Sequence, residues 1–408
     1  MRYSSRIIFL CIFAAFILGV ILMLYIIIST SSISYKSRIK NFDVISAFRR
    51  KSKPNTKVSL LTIRKCLDLL PQPNFTSLII DTEILQNIIE NKCRKVSRAI
   101  KIALHDKMYQ ELKRSDQLGR KFSIANFSYP EDTDYMRFHD DETGRFARII
   151  PRIKIRSCGE YQVPADILLF LEYWKRSRYI DCLNLTVERK PMEQVLDPVI
   201  SVMHLAELRN MFVSFNMYPL LNGGTLLGWY RECSVIPHTT DLDFSVKYDE
   251  FDISIIEEFW KPSTKFLMNR RLGMPNDSFE ITVSPVDNPG YPIDVFVMYD
   301  ETNHSYVSGT NHIGMKFRYK YPLYDRYCSA DLKGKLFWIT CDPEGVVKFE
   351  YGPMWMKDHN SKNFSWFSSS SNVERNGHWD VAELDDVIQE YEDHILGNST
   401  NQSTIDFT

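Results

Sequence analysis

The sequence predicts an α+β protein: an N-terminal membrane-spanning helix, a smaller α/β domain, and then a mixed sheet with flanking helices. Three observations support this. A long uncharged apolar run lies near the start, short apolar runs follow, and beyond residue 195 an amphipathic helix alternates with strand patterns. The 408 residues are 44% hydrophobic and 25% charged, with a formal net charge of -1. This composition supports a sizeable core and gives no indication of a nucleic-acid partner.

The apolar run at residues 7–28 contains 22 residues without a charge, which is long enough for a helix that spans a bilayer. A cleavable signal peptide is the alternative, because the polar residues 29–32 follow the run; its apolar region is usually shorter. We therefore predict an uncleaved transmembrane signal anchor. Residues 1–6 form a short tail before it, and the Ser- and Lys-rich residues 29–57 form a stem linker after it.

The orientation of the anchor is predicted from glycosylation signals, because basic residues lie on both sides of the span and do not choose a direction. Such sequons are used only in the secretory lumen. Eight Asn-x-Ser/Thr sequons occur, at Asn74, Asn126, Asn184, Asn276, Asn303, Asn363, Asn398 and Asn401. We expect a single-pass type II membrane protein, with residues 1–6 in the cytosol and the rest of the chain luminal.

The cysteines agree with an oxidising compartment. Cys11 lies in the predicted span, and seven others follow it: Cys66, Cys93, Cys158, Cys182, Cys233, Cys328 and Cys341. Some of these should form disulfides, and the odd number leaves one free thiol or one bridge between chains. No two cysteines have C-x-x-C spacing, so a zinc ribbon is poorly supported.

Residues 58–190 are predicted to form the N-terminal luminal domain. The stretch "TSLIIDTEILQNII", residues 76–89, predicts a strand that leads into a helix, and "ADILLFLEYW", residues 165–174, predicts a buried helix or strand. No group of catalytic residue types stands out in this domain. A structural role or recognition of an acceptor is the expected function.

The predicted catalytic domain covers residues 195–395, and residues 396–408 read as a flexible polar tail. An amphipathic helix begins near Pro198, a short strand "MYPLL" follows, and a glycine break precedes a helix that starts at Thr225. The later elements are strands at 242–246, 279–284 and 291–299, a helix at 344–351 that stops at Gly352, and an acidic helix over 380–395.

Two carboxylates, Asp241 and Asp243, stand two residues apart in "HTTDLDFSV", residues 238–246, where the apolar run predicts a strand, and they are therefore expected on one face. The apolar residues between and beyond them face the core. Like charges at this spacing repel, and a hard divalent cation with oxygen ligands, Mg²⁺ or Mn²⁺, is the usual neutraliser. An exposed strand with two solvated aspartates is the simpler alternative.

The context of this pair favours a metal site. Gly223 and Gly224, followed by Thr225, allow backbone N–H groups to approach a phosphate at a helix N-terminus, although a plain turn has the same composition. A third acid, Asp294, interrupts the apolar run "PIDVFVM", where a carboxylate is costly unless it is paired or bound to metal. This is the layout of a metal-dependent nucleotidyltransferase, in which carboxylates hold Mg²⁺ on the donor phosphates.

Arg231 follows the glycine turn and is a candidate for a bidentate phosphate clamp, with an ion pair to Glu232 or Glu280 as the alternative. Tyr351 and Trp355 are expected to pack below the site, and stacking on a cytosine ring is the alternative. The cysteines are expected to form disulfides rather than to act as nucleophiles.

The motif "LLNGGTLLGWYRECSVIPHTTDLDFSV", residues 220–246, resembles the signature of the fukutin, fukutin-related protein and LicD family of phosphotransferases. The segments "SFEITV", "IDVFVMYDETNH", "YGPMW" and "NGHWDVAELDDVIQEY" extend the similarity, which is greatest to fukutin, over about residues 195–393. The resemblance is fainter before residue 195. Asn222 and Gly223 stand where fukutin is Ser-rich, and His238 replaces an aromatic phenol.

The resemblance implies a Golgi enzyme with a nucleotidyltransferase-like domain. It would transfer an alcohol phosphate, with ribitol 5-phosphate from CDP-ribitol favoured, to a glycoprotein glycan of the O-mannosyl type, and release CMP. A complex with related transferases is also expected. The residues that match the family are Asp241, Asp243 and Asp294 for the metal, with Asp294 holding a second ion or taking the acceptor's proton, and Gly223, Gly224 and Thr225 for the turn.

Two other functions remain open from the sequence. A D-x-D Golgi glycosyltransferase that uses a nucleotide sugar accounts for the first two acids, but not for the glycine turn or Asp294. A non-catalytic Golgi partner of another transferase has no need of three clustered carboxylates.

Overall fold

A computed structural model describes residues 58–114, 121–140, 146–189 and 194–391. The predicted cytosolic tail, anchor and linker, residues 1–57, lie outside the described residues, as does the predicted tail at 396–408. Among the helices that are described, none has the length and apolarity needed to cross a bilayer. The predicted anchor at residues 7–28 therefore stays a prediction.

The first part of the described chain forms a mixed sheet with helices beside it. Its helices are α1 (Leu60–Leu67), α2 (Thr82–Ile89), α3 (Asp106–Arg114) and α4 (Ile167–Lys175). Its strands are β1 (Ser77–Ile79), β2 (Ile100–His105), β3 (Phe122–Ser128), β4 (Tyr135–Asp140), β5 (Phe146–Pro151), β6 (Ile155–Cys158) and β7 (Tyr161–Pro164). In the described residues the strand order is β5-β4-β3-β2-β1-β7-β6. The strand and helix predicted within residues 76–89 are confirmed, and residues 165–174 take the helical alternative.

Local capping explains where the helices of this part begin. The Asp81 carboxylate accepts a hydrogen bond from the backbone N–H of Ile84 at 3.3 Å, which satisfies a free donor at the start of α2. Arg98 pairs with the same carboxylate, at 2.5 and 2.9 Å. Because these donors outweigh the cost of burial, the pKa of Asp81 is lowered.

The second part contains a larger mixed sheet. Its helices are α5 (Pro198–Ser214), α6 (Gly223–Glu232), α7 (Pro343–Tyr351) and α8 (Leu384–Val387), with 3₁₀ segments at Ile253–Trp260, Gly352–Met354, Ser361–Asn363 and Val381–Glu383. Its strands are β8 (Leu220–Leu221), β9 (Leu242–Lys247), β10 (Phe266–Met274), β11 (Asp277–Pro285), β12 (Ile293–Asp300), β13 (His304–Thr310), β14 (Met315–Pro322), β15 (Tyr327–Leu332), β16 (Lys335–Thr340), β17 (Val373–His378) and β18 (Ile388–Glu390).

The order of the strands in the larger sheet places the acidic motifs side by side. The described strands follow the order β15-β16-β8-β9-β12-β11-β10-β18, and β13, β14 and β17 extend from β12. Strand β9 runs parallel to β12, whereas β12 and β11 are antiparallel. The predicted mixed sheet with flanking helices is confirmed. Leu242, Phe244 and Val246 are fully buried, as their alternation predicts.

Three predictions about element boundaries are corrected. Helix α6 begins at Gly223 and not at Thr225, and the predicted strand "MYPLL" shortens to β8. The predicted acidic helix is wrong at residues 388–390, which form β18 and pair with β10, and its last residues, 392–395, lie outside the described residues. An open sheet edge at β10 supplies hydrogen-bond partners that overrule the local helix preference.

A buried ion pair joins the two sheets, which belong to one compact unit that contains residues 58–251 and 255–391. Arg209 of α5 donates to Asp134 at 2.8 Å and also to the carbonyl of Leu336. The other Asp134 oxygen accepts from the Leu336 N–H at 2.8 Å. The Arg209 side chain is only 3% exposed, so its charge depends on these partners.

The disulfides agree with the sequence prediction. Cys66 pairs with Cys93, Cys182 with Cys233, and Cys328 with Cys341, while the half-buried Cys158 is free. Cys182–Cys233 ties the segment between the two sheets to the end of α6. The backbone N–H of Leu183 and that of Leu185 continue this attachment by donating to α6 carbonyls.

Replacing Arg209 by Ala should lower the free energy of unfolding by about 3 kcal/mol, because the change leaves the partly buried Asp134 carboxylate and the Leu336 carbonyl without their donor. Glu207→Ala on the same helix removes an exposed pair with Lys265 and serves as the matched control. Urea unfolding followed by tryptophan fluorescence measures both variants. Equal midpoints for the two variants would contradict the role of Arg209.

Candidate active site

One row of polar side chains crosses four strands of the larger sheet. Arg270 of β10 is paired with Thr282 of β11, Thr282 with Asp294 of β12, and Asp294 with Asp243 of β9. Paired residues on neighbouring strands share a face of the sheet. The register therefore brings the second and third predicted acids together and adds two residues that the sequence analysis did not select.

The glycine turn encloses the Asp243 carboxylate. A Cβ at Gly223 would lie 3.0 Å from Oδ2 of Asp243, and Gly223 has a φ of +49°. The backbone N–H and the hydroxyl of Thr225 approach the same oxygen at 3.4 and 3.5 Å, and the Thr225 hydroxyl accepts from the Asp243 N–H at 2.7 Å. The start of α6 and the acid are therefore built as one unit, and the site requires glycine at position 223.

Asp294 is held from the opposite side. The Thr282 hydroxyl donates to its Oδ1, and the Arg270 guanidinium lies 3.4 Å from the same oxygen. Arg270 also donates to Thr282 at 2.8 Å and to Glu280 at 2.9 Å. Thus one guanidinium fixes the orientation of two carboxylates and a hydroxyl.

Asp241 lies immediately before β9 rather than in it. Thr239 donates to its Oδ1 at 3.2 Å. Burial, together with the charge of Asp294, raises the pKa of Asp241 to about 6. Burial and the charges of Asp241 and Asp294 also raise the pKa of Asp243 well above its usual range. The raised pKa values of Asp241 and Asp243 mean that the protein supplies too little positive charge to stabilise the ionised carboxylates.

A second layer of acidic and aromatic groups supports this site. Burial raises the pKa of Glu350, on α7, to about 7, and Tyr321 donates to it at 3.2 Å. Burial raises the pKa of Glu280 to about 7 although Arg270 opposes the shift. The positive charge of Arg270 opposes the rise in the pKa of both Asp241 and Glu280.

The donor atoms of the site suit a divalent cation. All the candidate ligands are carboxylate oxygens, which suit Mg²⁺ or Mn²⁺. Across the part of the chain that the structure describes, no three His, Cys, Asp or Glu side chains converge as a ready ligand set. Mg²⁺ is commonly bound by one or two carboxylates together with water and substrate phosphates. The residues present fit that mode.

The prediction that Arg231 clamps a phosphate is corrected, because its side chain is buried in contacts within the protein. Its side chain is 2% exposed and donates to Glu232 at 2.8 and 2.5 Å and to the Trp355 carbonyl at 2.9 Å. The ion pair with Glu232 is therefore the alternative that the structure takes, and Glu280 pairs with Arg270 instead. Trp355 is buried and stacks on Tyr230, which places it in the packing below the site.

Arg270, Thr282 and Glu280 are the site residues that sequence reasoning missed. A weak signal was present, because Glu280 and Thr282 alternate in "FEITVS" as the two aspartates do in their strand. Arg270 sits in the pattern "FLMNRRLGM", where two adjacent arginines give no indication of which one turns inward.

Two matched glycine variants test the enclosure of Asp243. Gly223→Ala should lower the free energy of unfolding by about 1–3 kcal/mol, since the new Cβ meets Oδ2 of Asp243 and the backbone keeps a positive φ. Gly224→Ala places its Cβ 3.6 Å from that oxygen, an ordinary contact, and should be neutral or slightly stabilising. Thermal unfolding of both variants gives the comparison. Equal losses would show that the turn does not depend on Gly223.

Comparison with known families assigns both parts of the chain. Residues 63–181 match the family model described as "W02B3.4-like, N-terminal domain". Residues 216–334 match "LicD/FKTN/FKRP, nucleotidyltransferase domain", which includes the glycine turn and all three aspartates. The predicted resemblance to the fukutin and LicD family is confirmed.

Curated relatives cover most of the chain. The protein W02B3.4 of Caenorhabditis elegans, which is uncharacterized, is 39% identical over 80% of this chain and 85% of its own length. The uncharacterized T07A5.1 of the same species is 37% identical over 81% of this chain and 88% of its own.

The human ribitol-5-phosphate transferase FKTN is 28% identical over 64% of this chain, and the match spans only 58% of the human protein. The extensive match to W02B3.4 and the match to the W02B3.4-like N-terminal domain show that the chain belongs to the W02B3.4-like family, and this chain carries a LicD/FKTN/FKRP nucleotidyltransferase domain at residues 216–334.

Proposed function

We propose that this protein is a metal-dependent phosphotransferase that moves an alcohol phosphate from a CDP-linked donor to a glycoprotein glycan and releases CMP. The carrying observation is geometric: Asp243 lies against the glycine turn at the start of α6, Asp241 stands two residues before it, and Asp294 is its partner on β12, all within a LicD-type domain. Ribitol 5-phosphate is the favoured group, because it appears in the name of the FKTN relatives.

The donor phosphates are proposed to bind at the start of α6. Backbone N–H groups at a helix N-terminus and the helix dipole attract anions. The buried Oδ1 of Asn222, the residue before the helix, has no hydrogen-bond partner in the described residues.

Asp241 and Asp243 are the residues that would hold Mg²⁺ or Mn²⁺, and Asp294 would hold a second ion or receive the acceptor's proton. When bound, such an ion would neutralise the donor phosphates and the charge that develops on them during in-line displacement. The protein's own contribution is orientation. Thr225 positions Asp243, and Thr282 with Arg270 positions Asp294.

The acceptor hydroxyl is proposed to attack phosphorus directly. Asp294 is the candidate to receive its proton, because Oδ1 is engaged by Thr282 and the carboxylate stands at the end of the acidic row away from α6. No nucleophilic side chain is needed, and the cysteines of the catalytic sheet are in disulfides. Direct transfer inverts the configuration at phosphorus.

A Golgi location with a luminal catalytic domain is part of the proposal. Of the sequon asparagines that the structure describes, those exposed are Asn74, Asn184, Asn276, Asn303 and Asn363. Three disulfides also suit an oxidising compartment. The predicted anchor at residues 7–28 would then hold the enzyme in the membrane as a type II protein.

The activity is tested by incubating the full chain with CDP-ribitol, CDP-glycerol and CDP-choline, with Mg²⁺ or Mn²⁺ and a glycoprotein acceptor. We expect CMP release with phosphorus in the glycan. Asp243→Asn and Asp294→Asn should each lower the rate by about a hundredfold or more, because a ligand to the ion is lost. Asp249→Asn, at an exposed position beyond β9, is the matched control.

Three results would count against this activity. Turnover that is undiminished in EDTA would contradict the proposed need for a metal ion. Full activity of either site variant would contradict the role assigned to that acid. Release of UDP or GDP with sugar transfer, and no phosphorus transferred, would favour the D-x-D glycosyltransferase.

Glycosylation provides a separate test of topology. Endoglycosidase should increase the gel mobility of the protein made in a secretory cell, since several sequons are exposed. Asn126 is expected to be the least occupied, because its side-chain amide lies in β3 and donates to Asp106 at 2.6 Å. A protein without glycans, whose C-terminus is digested by protease outside sealed vesicles, would contradict the luminal orientation.

A further inference from the structure

Trp366 presents an indole ring at the edge of the acidic site. Its side chain is 43% exposed, and Phe367 beside it is 48% exposed. The position of Trp366 is nevertheless fixed. Tyr319 donates to its backbone carbonyl, and its ring packs edge-on against Phe317 with the centroids 5.1 Å apart. A large aromatic ring that is held from behind and open in front is a preformed contact surface.

Gly309 connects this ring to the acids. A Cβ at Gly309 would lie 3.3 Å from the Trp366 ring and 3.7 Å from Oε2 of Glu280. The ring and the carboxylate therefore flank one glycine, and the missing side chain leaves space between them. Glu280 uses Oε1 to accept from Arg270, whereas its Oε2 makes no hydrogen bond to any residue in the described ranges.

The two ends of the acidic row are chemically different. At the α6 end, backbone N–H groups and a helix dipole suit phosphate. At the β11 end, the carboxylate of Glu280, a residue that is only 4% exposed, lies beside Gly309 together with the exposed ring of Trp366. An additional phosphate is disfavoured beside Glu280, because like charges repel. A neutral polyhydroxylated ring suits this end, since its C–H face packs on indole and its hydroxyls donate to carboxylate.

The side from which the acceptor enters follows from in-line displacement, and this step rests on the proposed phosphate transfer. The attacking oxygen approaches phosphorus from the side opposite the leaving group. If the nucleotide phosphates bind at α6, the acceptor must enter from the far side of Asp294, where β11 carries Glu280. We propose that Trp366 and Glu280 form the acceptor subsite, which binds a sugar ring of the acceptor glycan.

The test measures two ligands separately on the full chain. Saturation-transfer NMR with a panel of methyl glycosides of common hexoses and N-acetylhexosamines probes the sugar subsite, and calorimetric titration with CMP probes the donor side. Trp366→Ala should weaken glycoside binding by about tenfold or more, the loss typical of a truncated aromatic anchor. Affinity for CMP should stay within twofold. Trp366→Phe should retain part of the glycoside affinity.

Phe349→Ala is the matched control for loss of an exposed aromatic side chain, because Phe349 is 49% exposed on α7. It should change neither affinity. Three outcomes overturn the subsite: no glycoside binds the wild type, Trp366→Ala binds glycosides as the wild type does, or Trp366→Ala loses CMP affinity. The last result would place the nucleotide base on the ring instead.

The chain's own glycan is a second source of the same chemistry, since the sequon at Asn363 lies three residues before Trp366. Asn363→Gln removes that glycan and keeps the ring. Unchanged glycoside binding supports the acceptor subsite, whereas tighter binding would assign the ring to the attached glycan and overturn the proposal.

The outcomes are independent of the CMP-release assay. If the enzyme releases CMP but the Trp366 variants bind glycosides as the wild type does, the proposed reaction stands and only the subsite is contradicted.

Discussion

The close approach of Gly223 to the Asp243 carboxylate is the constraint on which the rest of the site depends. A residue with a Cβ at position 223 would have to keep a φ of +49° and would press on the Asp243 carboxylate, with its Cβ 3.0 Å from Oδ2. Because Thr225 exchanges hydrogen bonds with Asp243, the first turn of α6 and strand β9 can only be built together. Negative charge is thereby placed where a helix N-terminus provides partial positive charge.

The acids impose a free-energy cost that the surrounding structure offsets only in part. Burial and repulsion between the acids raise the pKa values of Asp241 and Asp243. The positive charge of Arg270 is directed mainly at Glu280 and Asp294, which it contacts. The strand can tolerate this arrangement because its opposite face is entirely apolar and buried. The charge that remains uncompensated is the charge that the proposed cation would neutralise.

The parts that could be predicted from the sequence are those written locally in the chain. The glycine break, the two acids Asp241 and Asp243 at the start of β9, and the isolated Asp294 each carry their signal within a few residues. Arg270 was missed because its role comes from the register of β10 on β11, which no local pattern encodes. Residues 388–390 were misread as helix for the same reason, since their partner is a strand more than a hundred residues earlier. The role of Arg231 could not be predicted, because whether its side chain meets a phosphate or the adjacent Glu232 depends on the direction in which α6 orients it.

The site is asymmetric, and the asymmetry follows from the topology. Strand β9 is flanked on one side by β8, which leads into α6, and on the other by β12 and β11. The first side provides backbone amides, a helix dipole and the small polar side chains of Asn222 and Thr225. The second side provides larger side chains, among them Glu280 and the ring of Trp366 beside Gly309. Amides bind any phosphate regardless of the alcohol attached to it, but side chains can distinguish one polyol or sugar from another. Selectivity in this fold should therefore reside in β10, β11 and the segment around Trp366, and the glycine turn should serve the chemistry shared by all donors.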